Sequence, residues 1–224
     1  MSPRQSMFAG FALANLVAIA VTLAALSGKQ QAPPQIQGVL LPQARDVSGF
    51  ELIDHHDRTF TNAELQGRWH LVSYGFTTCP DICPTTLAQL AELSDALDAR
   101  GHNDLRVLFY TVDHRRDTVA QMAAYVPYFD EDFLGLTHRD DADNPHLPFE
   151  QGLGIVAQLV PLTGPDHDPA DNAYQVNHGV TLFLLNPQGK LQAIFEPQQS
   201  GPGRYHFDPQ QLLDDYLAVR GFLG

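Results

Sequence analysis

The stretch WHLVSYGFTTCPDICPTTLAQLAELSDALDAR, residues 69–100, changes its hydrophobic pattern once along its length. Its first part, Trp69–Phe76, is a run of apolar and β-favouring residues that predicts a buried strand. From about Pro84 to Arg100, leucines recur at spacings of three and four residues, which predicts an amphipathic helix. A strand that passes through a short loop into a helix is the first half of a βαβ unit.

The alternation of strand and helix continues beyond this stretch. Leu105–Val112 is an apolar run rich in β-favouring residues, typical of a strand covered on both faces. Thr118–Tyr125 predicts a second helix, which ends before Pro127. Together with residues 69–100, these segments complete one βαβ unit and the helix that follows it.

The last part of the chain predicts a hairpin and a helix. Val180–Leu185 and Leu191–Phe195 are two strand candidates, and the Asn-Pro-Gln-Gly sequence between them suits a type I turn. Asp208, followed by proline, predicts the start of a final helix, and Gly221 predicts its end. A βαβ unit followed by ββα, around one mixed sheet flanked by helices, is the layout of a thioredoxin-like α/β domain.

Composition sets limits on the class of protein. The chain has 224 residues, 44% of them hydrophobic, which is enough for one domain with an ordinary core. Twenty-six acidic residues against thirteen basic ones give a net charge of −13. A nucleic-acid-binding protein needs a basic surface, so this balance argues against that function. Solubility is sufficient to explain the acidity.

The N-terminal region contains the sequence FAGFALANLVAIAVTLAAL, residues 8–26, which carries no charge. At a rise of 1.5 Å per residue it would form a helix about 28 Å long, close to the hydrocarbon thickness of a bilayer. It is longer than the apolar part of a cleaved signal peptide, which has about 7–15 residues. We therefore expect a transmembrane anchor at residues 8–27, after a short tail at residues 1–7. A cleaved signal peptide and a buried core helix remain alternatives.

The flanks of this segment predict its orientation and the start of the folded domain. Arg4 favours a cytoplasmic N-terminus, although Lys29 on the other side makes the charge bias slight. No transit peptide rich in Arg and Ser precedes the segment, so we expect the bacterial inner membrane, with the domain facing the periplasm. Residues 28–45 contain several prolines and glutamines without a helical or strand period, which predicts a linker. The folded domain is then expected at residues 46–224.

The two cysteines of the chain, Cys79 and Cys83, lie between the first predicted strand and the helix that follows. A helix N-terminus lowers the pKa of a thiol, because the helix dipole stabilises the thiolate. Residues four apart project from one side of a turn, so both sulfur atoms can reach one ion or each other. A disulfide that closes so short a loop would add little stability. The pair therefore favours a chemical role over a structural one.

The spacing of the cysteines narrows that chemistry. Three residues separate them, whereas thioredoxin-type redox pairs have the spacing Cys-x-x-Cys. A structural zinc site usually takes four ligands, and this chain has one cysteine pair. Two thiolates and one imidazole suit Cu(I), which prefers soft ligands. His114 follows the strand at residues 105–112 and His178 precedes the strand at residues 180–185, and spacing alone leaves the choice between them open.

The eight other histidines are expected at the surface rather than at a metal. Most of them lie in polar, loop-like segments, and one lies within a predicted strand. A polar turn, a helix cap or a solvated face explains such residues without a ligand role. They are His55, His56, His70, His102, His138, His146, His167 and His206.

The cysteine motif occurs together with three other characteristic stretches. The four are YGFTTCPDICPTTL at residues 74–87, LFYTVDHRRDT at residues 108–118, FLGLT at residues 133–137 and YQVNHGVTLFLLNPQGKL at residues 174–191. In this combination the chain resembles the Sco/SenC family of copper chaperones over about residues 47–224. Members of that family are membrane-anchored, thioredoxin-like proteins that assist the assembly of cytochrome c oxidase.

The resemblance implies a set of site residues and partners. Cys79, Cys83 and His178 match the copper ligands of the family, and Asp113 matches an acidic residue beside the metal. The chain departs from the family at His114, where proline is usual. The implied partner is the copper-bearing subunit of cytochrome c oxidase, with a thiol reductant or another copper chaperone as a further partner.

Two functions follow from the resemblance. One is a metallochaperone that delivers copper to the CuA site of the oxidase. The other is a thiol–disulfide oxidoreductase that keeps the copper-site cysteines of an oxidase subunit reduced, in which Cys79 or Cys83 attacks the disulfide. An imidazole is needed for three-coordinate copper but not for disulfide exchange, so His178 discriminates between the two.

A peroxiredoxin-like peroxidase is a more distant alternative, since no activating arginine is evident beside the cysteines.

Overall fold

The structure is a computed structural model that describes residues 15–19, 32–47, 49–139, 143–162, 174–201 and 203–224. The chain divides into two units, Met1–Pro33 and Pro34–Gly224. In the first unit, residues 15–19 are helical, and the rest of the predicted anchor at residues 8–27 lies outside the described residues. Within the described part of the chain, no helix has the length and apolar character needed to cross a membrane.

The second unit is built around an eight-stranded mixed sheet with two small two-stranded sheets beside it. The strands are β1 Gly38–Arg45, β2 Glu51–Asp54, β3 Thr59–Thr61, β4 Trp69–Gly75, β5 Leu105–Thr111, β6 Leu134–Thr137, β7 Ala157–Pro161, β8 Tyr174–His178, β9 Leu182–Leu185, β10 Leu191–Phe195, β11 Gln198–Gly201 and β12 Arg204–His206. The large sheet has the order β1-β10-β9-β4-β5-β6-β2-β3. β7 pairs with β8, and β11 pairs with β12. The thioredoxin-like α/β layout with a mixed sheet is thereby confirmed.

Helices cover both faces of the large sheet. They are α1 Ile82–Asp98, α2 Val119–Tyr125, a 3-10 turn at Val126–Tyr128, α3 Leu147–Leu153 and α4 Pro209–Leu223. One hydrophobic cluster joins α1, α2 and α4 to one face of the sheet. A second cluster, which includes the buried residues of α3, lies on the other face. A sheet buried on both sides needs apolar residues on both of its faces, which explains the unbroken apolar runs of the central strands.

Strand β4 lies at the centre of the sheet, and every one of its residues is buried. Trp69 and Leu71 belong to the cluster under α1, whereas Val72 and Tyr74 belong to the cluster on the opposite face. This alternation follows from the two-residue period of a strand. β4 is parallel to β5 and antiparallel to β9, and it ends at Gly75, directly before the segment that carries the cysteines.

Most of the predicted elements are confirmed within two residues of their ends. α1 begins at Ile82, and α4 begins after Asp208, whose carboxylate accepts a hydrogen bond from the Gln211 N–H at 3.0 Å. The predicted end of α4 at Gly221 is wrong, because the helix continues through this glycine to Leu223.

The linker prediction for residues 28–45 is wrong in its second half. Gly38–Arg45 forms β1, an edge strand that pairs antiparallel with β10. Its register shifts between Leu40 and Arg45, and most of its residues are only partly buried or exposed. A bulged edge strand has no clean alternation of apolar and polar residues, so the sequence pattern could not reveal it. An edge position also tolerates Pro42, which has no N–H to donate.

Candidate metal centre

The cysteine loop, residues 76–81, leaves the end of β4 and enters α1. The Asp117 carboxylate fixes its start, since it accepts hydrogen bonds from the Thr77 N–H at 2.9 Å and the Thr77 hydroxyl at 2.6 Å. The Cys79 N–H donates to the Phe76 carbonyl at 3.2 Å. These bonds bend the chain back at the C-terminal end of β4 and hold Cys79 half-buried there.

Cys83 is the second residue of α1 and lies buried against the end of β4. Gly75 makes room for it: a Cβ atom at residue 75 would come within 2.5 Å of the Cys83 Sγ. Both cysteines are free thiols. The sequence prediction that the pair occupies the loop and the first turn of the helix is confirmed.

His178 ends β8 and faces the cysteines from the other side of the site. Its Nε2 atom lies 3.9 Å from the Cys83 Sγ, and its Nδ1 atom lies 2.7 Å from the Gly179 carbonyl oxygen. A carbonyl can only accept, so Nδ1 carries a proton, and Nε2 is the nitrogen that can offer a lone pair to a metal. The rings of Tyr74 and Phe76 both contact the imidazole edge-on, with centroids 5.6 Å away.

The sulfur atoms of Cys79 and Cys83 and a ring nitrogen of His178 all lie within 4.8 Å of one another. Among the residues that the structure describes, no other group of three or more His, Cys, Asp or Glu side chains meets this distance. Two thiolates and one imidazole form a soft donor set of the kind that selects Cu(I) among biological metals. The donor atoms present therefore fit copper.

The two thiols have pKa values that differ strongly. The Cys83 thiol, which hydrogen-bonds to the Cys79 sulfur, lowers the pKa of Cys79 to about 4; burial opposes this shift, while His178 and the backbone N–H groups of Asp81 and Cys83 add to it. The same hydrogen bond, together with burial, raises the pKa of Cys83 well above its ordinary value. The reduced pair therefore holds one shared proton, which a bound metal must displace.

A cavity of about 620 Å³ opens beside Cys79 and His178. Its wall includes the cation Arg116 and the carboxylate Asp81. Apolar side chains form much of the remaining wall, and they include Phe76, Pro80, Ile82, Val176 and Val180. Cys79 borders this cavity, whereas Cys83 lies behind it in the core. A partner group that enters the cavity therefore meets Cys79 first.

His114, the alternative third ligand, lies elsewhere. Its ring packs against that of His138 with centroids 4.0 Å apart, and the His138 ring stacks on His146 at 3.6 Å. The group formed with Cys79 and Cys83 contains His178 and not His114. Spacing alone left this choice open and the family resemblance implied His178; the structure places His178, and not His114, beside the two cysteines.

Four of the eight histidines expected at the surface are buried instead. They are His55, His70, His138 and His146, with exposed fractions of 4%, 1%, 7% and 9%. Burial lowers the pKa of His70 to about 3, so this side chain is neutral inside the sheet. Its position within a predicted apolar strand was a usable signal of burial. His167 lies outside the described residues.

Asp113 lies next to the metal centre but outside the donor group. Its side chain is fully buried and accepts hydrogen bonds from the Tyr174 hydroxyl and the Arg116 Nε–H. Asp113 was predicted from the sequence, whereas Tyr174, Arg116 and Asp117 were not. All three lie within the stretches that carry the family resemblance, at residues 108–118 and 174–191, which was the available signal.

These features define a class of protein: a thioredoxin-like domain with a Cys-Cys-His group at the C-terminal end of its central strand. The SCO1/SenC family model matches residues 41–206. The chain belongs to the SCO1/SenC family.

Individual relatives support this assignment. A protein of Stutzerimonas stutzeri, named as a candidate copper-binding protein, is 35% identical over 201 residues, which cover 89% of this chain and 93% of the relative. The mitochondrial SCO2 homologue of Bos taurus is also 35% identical, but the match spans 60% of its length and 75% of this chain. The match with this chain therefore covers only part of the length of this mitochondrial relative.

Solved structures show the same fold. ScoI of Arabidopsis thaliana with copper bound is 26% identical, with a TM-score of 0.62, over 79% of this chain and 99% of that one. BsSco, described as a member of the Sco family of cytochrome c oxidase assembly proteins with a disulfide switch, has a TM-score of 0.57 over 83% of this chain and 98% of its own. At 19% identity, BsSco supports the fold alone.

Proposed function

We propose that this protein is a membrane-anchored copper metallochaperone. Copper is held by Cys79, Cys83 and His178 and is passed to the copper-bearing subunit of cytochrome c oxidase, at its CuA site. The observation that carries the proposal is that the three donor atoms lie within 4.8 Å of one another at the edge of an open cavity. The copper-bound ScoI structure and the copper-binding relative of Stutzerimonas stutzeri support the metal. Membership of the SCO1/SenC family supports the oxidase partner.

The geometry suggests how the chain holds and releases its cargo. Binding needs Cys83 to lose the proton that it shares with Cys79, so copper uptake releases a proton. Cys83 and His178 then hold the ion from the protein side, with His178 fixed by its Nδ1–H bond to the Gly179 carbonyl. Cys79 faces the cavity. A ligand of the recipient protein replaces Cys79 first, because that sulfur is the one it can reach.

Thiol–disulfide exchange is the second candidate, and one observation favours it. Cys79, with its low pKa, borders the cavity, and the buried Cys83 lies directly behind it. The Cys79 thiolate would attack a disulfide of the partner and release one partner thiol. Cys83 would then attack the mixed disulfide, release the second thiol and leave a Cys79–Cys83 disulfide. The partner gains the two electrons that this domain loses.

The cellular location is part of the same proposal. The uncharged sequence at residues 8–26 supports an anchor in the bacterial inner membrane, and the oxidase partner favours a domain in the periplasm. Fractionation of cells that express the full chain tests this. The intact protein should remain with the membranes after a carbonate wash. A mature protein that begins at or after Gly28 would identify the segment as a removed signal peptide.

Copper analysis of the full-length protein in detergent tests the main function. The reduced protein should bind one Cu(I) per chain, whereas protein carrying a Cys79–Cys83 disulfide should bind far more weakly, because the thiolates are the ligands. Equal binding by both forms would place the metal elsewhere. Reduced protein that binds no copper but reduces a model disulfide would favour the oxidoreductase.

A further inference from the structure

The two halves of the metal centre belong to different sheets. The cysteines follow β4 of the large sheet, whereas His178 ends β8, which pairs with β7 in a separate two-stranded sheet. We call β7 and β8 together the histidine arm. Among the described strands, those of the large sheet do not pair with this arm. On the C-terminal side, residues 179–181 join the arm to β9. Pairing with the large sheet therefore does not fix the start of β8, so side-chain contacts must hold the arm against the rest of the domain.

Tyr174, the first residue of β8, is held by a buried carboxylate. Its hydroxyl donates to one oxygen of Asp113, and the Arg116 Nε–H donates to the other. The Arg116 guanidinium also lies over the Tyr174 ring, 4.3 Å from its centroid. An unpaired buried carboxylate is costly, so Asp113 holds both partners firmly. His178 lies four positions after Tyr174, about 13 Å along an extended strand. This attachment therefore helps to set the direction of the arm.

Asp117 holds the cysteine loop in a corresponding way. Its buried carboxylate accepts hydrogen bonds from the N–H and hydroxyl of Thr77 and from the Thr111 hydroxyl, at 2.9, 2.6 and 2.6 Å. Thr77 lies two residues before Cys79. Asp117 therefore sets the path on which the loop leaves β4.

Both carboxylates belong to one turn of the chain. The N–H groups of Arg116 and Asp117 donate to the Asp113 carbonyl at 3.1 and 2.9 Å, which closes residues 113–117 into a hydrogen-bonded turn. We propose that this turn positions the metal centre: Asp113 places His178 through Tyr174, and Asp117 places the cysteines through Thr77. The copper measurements below rest on the proposed function, whereas the measurement on metal-free protein does not.

Removal of the Tyr174 hydroxyl tests the histidine half. Tyr174→Phe should weaken Cu(I) binding of the reduced protein about tenfold, the lower end of the range for residues that orient a ligand. Tyr128→Phe is the matched control, because Tyr128 is 84% exposed and lies outside the site. In a His178→Ala background, Tyr174→Phe should cause no further loss, since Tyr174 acts only through His178. An equal loss in both backgrounds would overturn the assignment.

Thr77→Val tests the cysteine half, and here we expect a loss of Cu(I) affinity that does not depend on His178. It removes the hydroxyl that Asp117 binds while the backbone N–H remains. The loss of Cu(I) affinity should be the same with His178 and with His178→Ala, because Thr77 acts through the cysteines. No loss, or a loss that disappears in the His178→Ala background, would contradict this half.

Nuclear magnetic resonance of the reduced, metal-free protein tests the positioning without copper. The His178 ring contacts the edges of Tyr74 and Phe76, so ring currents shift its imidazole resonances. Tyr174→Phe should move these resonances towards the values of an exposed histidine, and Tyr128→Phe should leave them unchanged. Unchanged resonances in Tyr174→Phe would reject the positioning role even if copper binds. If Tyr174→Phe shows the expected resonance change but the wild-type protein binds no Cu(I), only the proposed function is rejected.

Discussion

The Cys83 Sγ atom lies 3.9 Å from the Nε2 atom of His178, although the two residues are 95 positions apart in the chain. The contact joins the first turn of α1 to the last residue of β8. It brings a buried thiol and an imidazole nitrogen together beside the half-buried Cys79. The properties of this small group lead to predictions that mutagenesis and labelling can check.

His178→Ala should reduce Cu(I) affinity by more than the factor of about 10–100 that is typical for loss of a residue supporting a ligand. The reason is that the variant removes one of three donor atoms. Competition with a chromophoric Cu(I) chelator measures the affinity. His114→Ala is the control, since His114 packs against His138 and not against the cysteines, and its affinity should match that of wild type. If His178→Ala binds copper normally but exchanges disulfides slowly, the imidazole serves thiol chemistry instead.

Cys79 should react with iodoacetamide before Cys83 in the reduced, metal-free protein. Its pKa is lowered to about 4, so its thiolate persists above that pH and is lost only as the pH falls through it. Cys79 also borders the cavity, whereas Cys83 is 4% exposed. Peptide mass spectrometry after brief labelling at about pH 6 should find the label on Cys79 alone. Equal labelling of both cysteines would show that the shared proton does not distinguish them.

Gly75→Ala should destabilise the protein and disturb the cysteine pair. The added Cβ would lie 2.5 Å from the Cys83 Sγ, and such overpacking costs about 1–3 kcal/mol in free energy of unfolding. Gly221→Ala is the matched control, because a Cβ there meets no atom within 4 Å and the residue lies in α4. Alanine is favoured over glycine in a helix by roughly 0.5–1 kcal/mol, so this variant should be neutral or more stable. Denaturant unfolding compares the two variants, and equal stabilities would contradict the steric argument.

A chain that starts at Gln30 should be more stable than one that starts at Asp46. The shorter chain lacks β1 and the bond from the Gln37 N–H to Asp215, which measures 2.9 Å. A loss of about 2 kcal/mol would lower Tm by roughly 4–8 °C in a domain of this size. Thermal unfolding of the two shortened chains gives the comparison. Identical Tm values would mean that β1 adds nothing to the stability of the domain.

The local sequence was sufficient to predict β4, α1 and the place of the cysteines. The strand at residues 69–76 and the leucine spacing after Pro84 are patterns within a few turns of chain, and they specify structure through local backbone preference and burial. The spacing of Cys79 and Cys83 is equally local. For this reason the strand-loop-helix unit and the chemistry of its two thiols could be derived before any contact across the fold was known.

The tertiary structure decided the contacts between distant segments. Spacing alone left the choice between His114 and His178 open, and the position of the histidine arm is what brings His178 to the sulfur atoms. β1 was invisible because a bulged edge strand has no regular pattern and is stabilised by its pairing with β10. The family resemblance implied that Asp113 lies beside the metal, but no local pattern in the sequence indicates that Asp113 and Asp117 are buried. Their burial, and hence their hold on Tyr174 and Thr77, arises only when the chain closes around them, because hydrogen bonds between remote segments leave no periodic trace in the sequence.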